Sequence, residues 1–238
     1  FYTKNSTTIM IDAGYSYDRL QEKMGWLGID PQDIQHVLIT HQDTDHVGAI
    51  EADSNQLFSH ARVYENRYLT GEVRRRVMNG WYKVPKVTIP NKKKLLHDGE
   101  VFEIDDIKIE TILVPGHTWG HVVYLIDDEY LFTGDTIWFG ADGGYSFINK
   151  LAEDNQLAVE SLAKLEKVIR QRELNPKIFT AHTGWTDSLD FAFAHTGEVC
   201  NANKPVKVHD PKAPHDAYDE RDDTRESAVS MPLLPCNR

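Results

Sequence analysis

Short apolar runs alternate with amphipathic stretches along the first part of the chain. The β-rich apolar runs predict three buried strands, at residues 7–12, 36–40 and 61–64. Between the first two, Leu20, Met24 and Leu27 recur on one face and predict a helix over residues 17–27, which Pro31 separates from the next strand. Strand, helix and strand in this order predict an α/β fold with partly parallel pairing.

The second half of the chain predicts more strands and the longest helix. The strands are expected at residues 101–103, 107–114, 122–126, 130–133 and 177–180. Ala158, Leu162, Leu165 and Ile169 fall at helical spacing and predict a helix over residues 154–172. Two further helices are expected, from Val47 toward His60 and over residues 72–78.

The apolar periodicity ends near residue 205, where a polar, Pro-punctuated stretch begins. We therefore predict one domain over residues 1–204 and an extended or poorly ordered tail over residues 205–238. The sequence starts at Phe1, close to the first recognisable strand, so it leaves open whether N-terminal strands are missing.

Bulk properties narrow the classes of partner. The formal net charge of −11 repels polyanions, so we expect no nucleic-acid partner, and no apolar run approaches the roughly 18 residues of a membrane span. Cys200 and Cys236 form no C-x-x-C pair, which excludes a Cys-rich zinc site. We favour reduced thiols in a cytoplasmic protein over a disulfide between them. The oligomeric state stays open.

Four side chains that can bind metals lie within six residues: His41, Asp43, Asp45 and His46. They follow a predicted buried strand, and an extended segment would point His41, Asp43 and Asp45 to one side, with a turn bringing in His46. Crowded carboxylates repel one another unless a cation neutralises them. The segment therefore predicts a divalent metal site.

Three single residues have the same placement at predicted strand ends. His117, Asp135 and His182 each follow a strand, and each has a glycine beside it or close by that lets the backbone turn sharply. Sites in α/β sheets form at strand ends. These residues are therefore expected to join the first four.

Together these blocks resemble the metallo-β-lactamase superfamily of metallohydrolases, whose motif is H-x-H-x-D-H followed by a single His, a single Asp and a late His. Here 70 residues separate His46 from His117, 17 separate His117 from Asp135, and 46 separate Asp135 from His182. The resemblance covers residues 7–184. It implies a four-layer αβ/βα sandwich with two metal ions at one edge.

The resemblance also implies how the ligands divide. Metal 1 would be held by His41, the residue at position 43 and His117, and metal 2 by Asp45, His46 and His182. Asp135 would bridge the ions and fix their distance. A hydroxide shared by two ions forms at neutral pH and attacks a carbonyl or phosphoryl centre, and Asp45 would orient it and accept its proton.

Asp43 is the departure from the pattern, because the usual family member has His at this position. An oxygen ligand shifts preference from zinc toward iron or manganese. The related flavodiiron proteins are similar in placing a Glu here and bind iron for redox work. We favour two Zn²⁺ ions, with iron or manganese as alternatives, and keep open that Asp43 is not a ligand.

The resulting hypothesis is a di-metal hydrolase that cleaves a small ester, thioester or lactone. A phosphodiesterase or nuclease on the same fold, a di-iron redox protein and a non-catalytic metal-binding module are the alternatives. Asp12 is expected to hydrogen-bond a ligand histidine, and His121 either supports the site or is a plain buried histidine. Five aromatic residues either line a pocket or belong to the core: Trp119, Trp138, Tyr145, Phe147 and Trp185.

Overall fold

The computed structural model describes residues 1–51, 57–66, 88–147 and 152–198, together with two short strands at 77–78 and 82–83. The strands up to residue 100 are β1 (Tyr2–Lys4), β2 (Thr7–Ile11), β3 (Ile34–Leu38), β4 (Arg62–Asn66), β5 (Val77–Met78), β6 (Tyr82–Lys83) and β7 (Lys93–Leu96). The later strands are β8 (Val101–Ile104), β9 (Ile107–Leu113), β10 (Val122–Ile126), β11 (Tyr130–Phe132), β12 (Ile137–Gly140), β13 (Gly143–Ser146), β14 (Lys177–Phe179) and β15 (Trp185–Thr186). The helices are α1 (Tyr17–Leu27), α2 (Thr44–Val47), α3 (Asn155–Gln171) and α4 (Leu189–Ala192).

Two sheets form the centre of the fold. The first has the order β1-β2-β3-β4-β7, in which β2, β3, β4 and β7 are parallel and β1 is antiparallel to β2. The second has the order β15-β14-β11-β10-β9-β8 and is antiparallel except for the parallel pair β11–β14. As a consequence, β9, β11 and β14 run in the same direction, and their C-terminal ends lie at the same edge.

Alternating side chains sort the core into three layers. In β10, Val122, Tyr124 and Ile126 face the first sheet, whereas Val123 and Leu125 face the helix side of the second. All five are buried, which is typical of a central strand covered on both faces. The predicted four-layer αβ/βα sandwich is thereby confirmed.

The outer layers are the two long helices. Helix α1 buries Met24 against the first sheet and ends at Gly28, whose left-handed φ of 66° suits glycine. Helix α3 covers the second sheet with Leu162, Leu165 and Ile169. Asp154 begins α3 by accepting a hydrogen bond from the Leu157 N–H, and both helices match their predicted spans to within one residue.

Three sequence predictions need correction. The helix expected from Val47 toward His60 instead begins three residues earlier, at Thr44 within the segment His41–His46, ends at Val47 and continues as a 3₁₀ turn through Ile50. Of the helix expected at 72–78, residues 72–76 lie outside the described residues, whereas 77–78 form a strand. The strand expected at 36–40 is shifted by two residues and occupies Ile34–Leu38.

The predicted tail at 205–238 and both cysteines lie outside the described residues, so these predictions are neither confirmed nor corrected.

Candidate metal centre

A change in backbone conformation separates the ligands of the first segment into two pairs. Strand β3 ends at Leu38, Asp43 has extended backbone with φ and ψ of −68° and 151°, and the chain becomes helical at Thr44. His41 and Asp43 precede this helix and lie close together, with Nε2 of His41 3.5 Å from Oδ2 of Asp43, whereas Asp45 and His46 lie in α2. The prediction that Asp45 continues the extended alternation is therefore wrong. The turn aims the two pairs at different points.

The other three residues come from the second sheet. His117, Asp135 and His182 follow β9, β11 and β14, the three strands whose C-terminal ends share one edge. The structure brings all seven predicted residues together. They fall into two groups with ligand atoms within 4.8 Å of one another, one of His41, Asp43 and His117 and the other of Asp45, His46, Asp135 and His182.

The first group meets around the carboxylate of Asp43. Its Oδ2 lies 3.3 Å from Nε2 of His117 and 3.5 Å from Nε2 of His41. In the second group, Oδ2 of Asp45 lies 3.3 Å from Nε2 of His182 and 3.6 Å from Nε2 of His46. Each group therefore offers two imidazole nitrogens and one carboxylate oxygen to a single point.

Asp135 joins the two groups through its two oxygens. Oδ1 lies 3.1 Å from Nε2 of His182 and 3.2 Å from Nε2 of His46. Oδ2 lies 3.2 Å from Nε2 of His117 and 3.8 Å from Nε2 of His41. A carboxylate with one oxygen toward each set of histidines has the geometry of a bridging ligand.

The imidazoles keep the two central carboxylates ionised. Burial opposes ionisation of Asp135, yet His182 and His46 hold the pKa of this carboxyl well below its usual range. In Asp45 the same competition, burial against His46 and His182, lowers the pKa to about 2. Both groups are therefore anions at neutral pH, as metal ligands must be.

The donor set fits two divalent cations. Nε2 of His41 and of His46 and Oδ1 of Asp135 are buried, and none meets a hydrogen-bonding partner in suitable geometry among the described residues. Buried polar atoms of this kind need a partner. Three carboxylates also nearly balance the four positive charges of two divalent ions. Nitrogen and oxygen donors in this mixture suit zinc, iron or manganese.

Asp12 orients the second group, as the sequence predicts. Its Oδ2 lies 2.7 Å from Nδ1 of His46, which turns Nε2 of that ring toward Asp135. Thr40 fixes Asp12 in turn, because its backbone N–H and its hydroxyl donate to the two carboxylate oxygens over 2.8 and 2.7 Å. Sequence reasoning did not assign this role to Thr40, although its position directly before His41 was a signal.

His121 and Gly134 hold the loop that carries Asp135. His121 is buried, and its Nε2 accepts a hydrogen bond from the backbone N–H of Asp135. Of the two roles that the sequence left open for His121, it therefore supports the site. Gly134 has a left-handed φ of 51°, and a Cβ there would lie 2.7 Å from Oγ1 of Thr40 and 2.8 Å from Nε2 of His121. Only glycine therefore lets this turn approach the first sheet so closely.

The centre opens to solvent on one side. The side chains of His41, His46, His117 and Asp135 are at most 4% exposed, whereas those of Asp43 and His182 are 20% exposed and that of Asp45 is 43% exposed. Trp138 and Phe147 border this region and contact ligand rings. Tyr145 and Trp185 instead stack on His195 and Phe179.

A second opening adjoins the first ligand segment. A cavity of about 550 Å³ is lined by residues next to the ligands in sequence and by α3: Gln42, Leu113, Pro115, Trp119, Gly120, Glu153 and Leu157. Trp119 is 55% exposed there, so it is a surface residue and not part of the core.

The amino-acid sequence is similar to those of known metal-dependent hydrolases. A family model described as "Metallo-beta-lactamase superfamily" matches residues 1–174. Hydroxyacylglutathione hydrolase of Serratia proteamaculans (strain 568) is 33% identical over 187 residues, covering 78% of this chain and 61% of that protein. The probable polyketide biosynthesis zinc-dependent hydrolase BaeB of Bacillus velezensis is 30% identical over 132 residues, covering 56% of this chain and 50% of that protein.

Solved structures are similar in fold. The crystal structure of ST1585 from Sulfolobus tokodaii, described as an archaeal metallo-beta-lactamase superfamily protein, matches with a TM-score of 0.57 at 17% identity. The match covers 92% of this chain and 86% of that one. The chain spans roughly half the length of the curated relatives it matches, with 47% and 61% for two hydroxyacylglutathione hydrolases. None of the helices in the described ranges is long and apolar enough to cross a membrane.

Proposed function

The chain belongs to the metallo-β-lactamase superfamily, and on this premise we propose that it is a hydrolase that uses two divalent metal ions. One observation carries the proposal. The two oxygens of Asp135 face two different pairs of histidines, within 3.8 Å in every case. A site for a single ion does not require a buried carboxylate between two ligand sets, so this arrangement supports a pair of ions.

The ligand assignment follows the two groups. One ion would be held by His41, Asp43 and His117, the other by Asp45, His46 and His182, and Asp135 would contact both. When bound, two divalent ions lower the pKa of a shared water toward about 7 and polarise the oxygen of the substrate.

The side chains contribute charge, orientation and a proton acceptor. Asp45 is the most exposed of the seven and has a pKa of about 2, so its carboxylate is ionised and reachable from the opening. It can accept a hydrogen bond from the attacking water and hold it toward the substrate. Asp135 is buried and serves to keep the ligand groups apart at a fixed distance.

We propose a small ester, thioester or lactone as the substrate, with a thioester first. Several relatives are named hydroxyacylglutathione hydrolase, and an acyl group carried on glutathione forms a thioester. The acidic chain, with a formal net charge of −11, disfavours a polyanionic nucleic acid as substrate. A phosphodiesterase remains the alternative on the same fold.

Zinc is the proposed metal. The relative BaeB is described as zinc-dependent, and four imidazoles suit zinc. Asp43 keeps iron and manganese as alternatives because it supplies oxygen where nitrogen is usual in the family. Elemental analysis of the purified protein distinguishes these metals, and about two irons per chain without hydrolysis would favour the redox alternative.

The test of the function compares two aspartate variants. Metal-loaded protein is assayed on a panel of thioesters, lactones, esters and phosphodiesters beside Asp45→Ala and a matched control, Asp190→Ala. Asp190 is 90% exposed and pairs with Arg170 on the surface, so its removal should leave the rates unchanged. We expect Asp45→Ala to reduce kcat by roughly 10²–10⁴-fold, the usual range for a positioned acid or base.

Two outcomes would reject the proposal. Equal rates for the parent protein and Asp45→Ala on every substrate would show that the assigned centre does not catalyse the reaction. Cleavage of phosphodiesters without cleavage of thioesters, lactones or esters would replace the proposed substrate class by the alternative.

A further inference from the structure

Two aromatic rings lie against the ligand histidines. Trp138 in β12 stacks on Phe147, directly after β13, with ring centroids 4.5 Å apart and planes inclined by 19°. Trp138 also stacks on His182 at 5.4 Å, and Phe147 stacks on His117 at 5.1 Å. The pair therefore contacts one histidine from each ligand group, and we refer to Trp138 and Phe147 as the aromatic wall.

The aromatic wall lies on the open side of the centre. Both of its residues are only partly buried, and the ring that Trp138 covers belongs to His182, one of the more exposed ligands. The hairpin of β12 and β13 fixes the wall, because Trp138 pairs with Tyr145 in the antiparallel register, two residues before Phe147. A group that enters on this side, next to His182, therefore meets the accessible part of these two rings, while Nε1 of Trp138 is buried.

We propose that the aromatic wall determines substrate specificity by stacking on a planar aromatic ring in the acyl group of the substrate. The inference rests on the proposed function, since it assumes a carbonyl positioned between the two ligand groups. The wall touches both His117 and His182, so it runs beside that carbonyl, within reach of the group bonded directly to it. Offset stacking of this kind favours an aromatic ring over an aliphatic ring of equal size.

A purely structural role for the same rings makes a different prediction. If Trp138 and Phe147 only hold His182 and His117 in place, their loss weakens metal binding and slows every substrate by the same factor. If they contact the substrate, their loss changes the preference between substrates. The ratio between an aromatic and an aliphatic ligand therefore separates the two roles.

The experiment measures binding of two product-like acids to the metal-loaded protein by calorimetry. Benzoate and cyclohexanecarboxylate carry the same charge and contain no bond to hydrolyse, so the measurement does not depend on activity. The variants are Trp138→Leu and Phe147→Leu, with Trp138→Phe to retain a ring. Phe102→Leu is the matched control, because Phe102 is also half-buried and stacked, on Tyr64 at 5.3 Å. The metal content of each variant is measured in parallel.

We expect the parent protein, Trp138→Phe and Phe102→Leu to prefer benzoate. Each leucine variant in the wall should reduce the ratio of benzoate to cyclohexanecarboxylate affinity by about 2- to 12-fold. This is the factor in affinity that one aromatic stacking contact contributes. An equal affinity for both acids in the parent protein, or an unchanged ratio in both leucine variants, would overturn the inference. Should Trp138→Leu lose its metal, Phe147→Leu alone decides the outcome.

The same data distinguish failure of this inference from failure of the proposed function. A benzoate preference that depends on the wall, in a protein that hydrolyses no member of the substrate panel, would reject the function and keep the wall. Hydrolysis of a benzoyl and a cyclohexanecarbonyl thioester with a ratio of kcat/KM values that Trp138→Leu and Phe147→Leu both leave unchanged would keep the function and reject the wall.

Discussion

Nε2 of His121 accepts a hydrogen bond from the backbone N–H of Asp135 over 3.0 Å. A ring nitrogen that accepts must be unprotonated, so the proton of this neutral imidazole is on Nδ1, which lies 3.3 Å from the hydroxyl of Thr136. Burial, together with the nearby His41 and His117, lowers the pKa of His121 well below its usual value and keeps the ring neutral. His121 is therefore a fixed acceptor that positions the backbone of Asp135, the residue between the two groups of histidines.

Replacing His121 by Phe should destabilise the protein, because it fills the space but leaves the N–H of Asp135 without a partner. A buried unsatisfied donor costs about 1–3 kcal/mol of the free energy of unfolding. His121→Gln is the control, since its amide oxygen can still accept the hydrogen bond. Urea unfolding of the metal-free proteins measures the difference. Equal stability of the Phe and Gln variants would contradict the assigned role.

The sequence predicted which side chains converge better than it predicted the segments that connect them. Each of His117, Asp135 and His182 follows a strand with strong β pattern, and parallel strand ends meet at one edge, so their convergence follows from local pattern plus topology. The conformational change at Asp43 was missed because it depends on where the ligands must point, which apolar periodicity does not report.

The hairpin of β12 and β13 was also missed, for a tertiary reason. Its second strand begins with Gly143 and Gly144, which have no β propensity. A Cβ on Gly144 would lie 2.0 Å from the carbonyl oxygen of Ala192, so glycine is required by contact with α4. Such a contact between distant segments leaves no periodic signal. The same hairpin carries Trp138, whose role could not be decided from the sequence.

Asp43 should set the choice of metal at the first ligand group. Its Oδ2 lies within 3.5 Å of Nε2 of both His41 and His117, which supports the proposed role of Asp43 as a ligand. Asp43→His restores the usual family pattern and exchanges an oxygen donor for a nitrogen donor, which favours zinc over manganese. We expect the zinc-to-manganese ratio at this group to rise on the order of tenfold.

Competitive dialysis against equal concentrations of zinc and manganese, followed by elemental analysis, measures this ratio. Asp190→His is the control, because it adds the same side chain at a position that is 90% exposed. An unchanged ratio in Asp43→His would show that position 43 does not contribute to the metal site.

Asp127 links the N-terminal strand to the second sheet. Its Oδ2 accepts hydrogen bonds from the hydroxyl of Tyr2 over 2.7 Å and from Nζ of Lys4 over 3.0 Å, and its Oδ1 accepts from the N–H of Lys108 over 2.9 Å. Burial opposes ionisation of Asp127, but the hydrogen bonds from Tyr2, Lys108 and Lys4 outweigh it and lower the pKa of this carboxyl.

The lowered pKa predicts a specific pH dependence of stability. A carboxyl that is more acidic in the folded state stabilises the fold above its unfolded pKa of about 3.9, and the contribution is lost as the pH falls through the folded value. Asp127→Asn removes the charge yet tolerates the left-handed φ of 51° at this position. The parent protein should therefore exceed Asp127→Asn in stability at neutral pH, and the difference should shrink below about pH 4.

Urea unfolding between pH 7 and pH 3 measures this difference, and the metal ligands, which titrate in both proteins alike, cancel from it. Asp128→Asn is the matched control, because Asp128 has a φ of 59° in the same turn but is 37% exposed. Its effect should be smaller than that of Asp127→Asn at neutral pH, since exposed ion pairs contribute little. A stability difference for Asp127→Asn that stays constant or grows toward low pH would mean that the charge of Asp127 does not hold β1 to the second sheet.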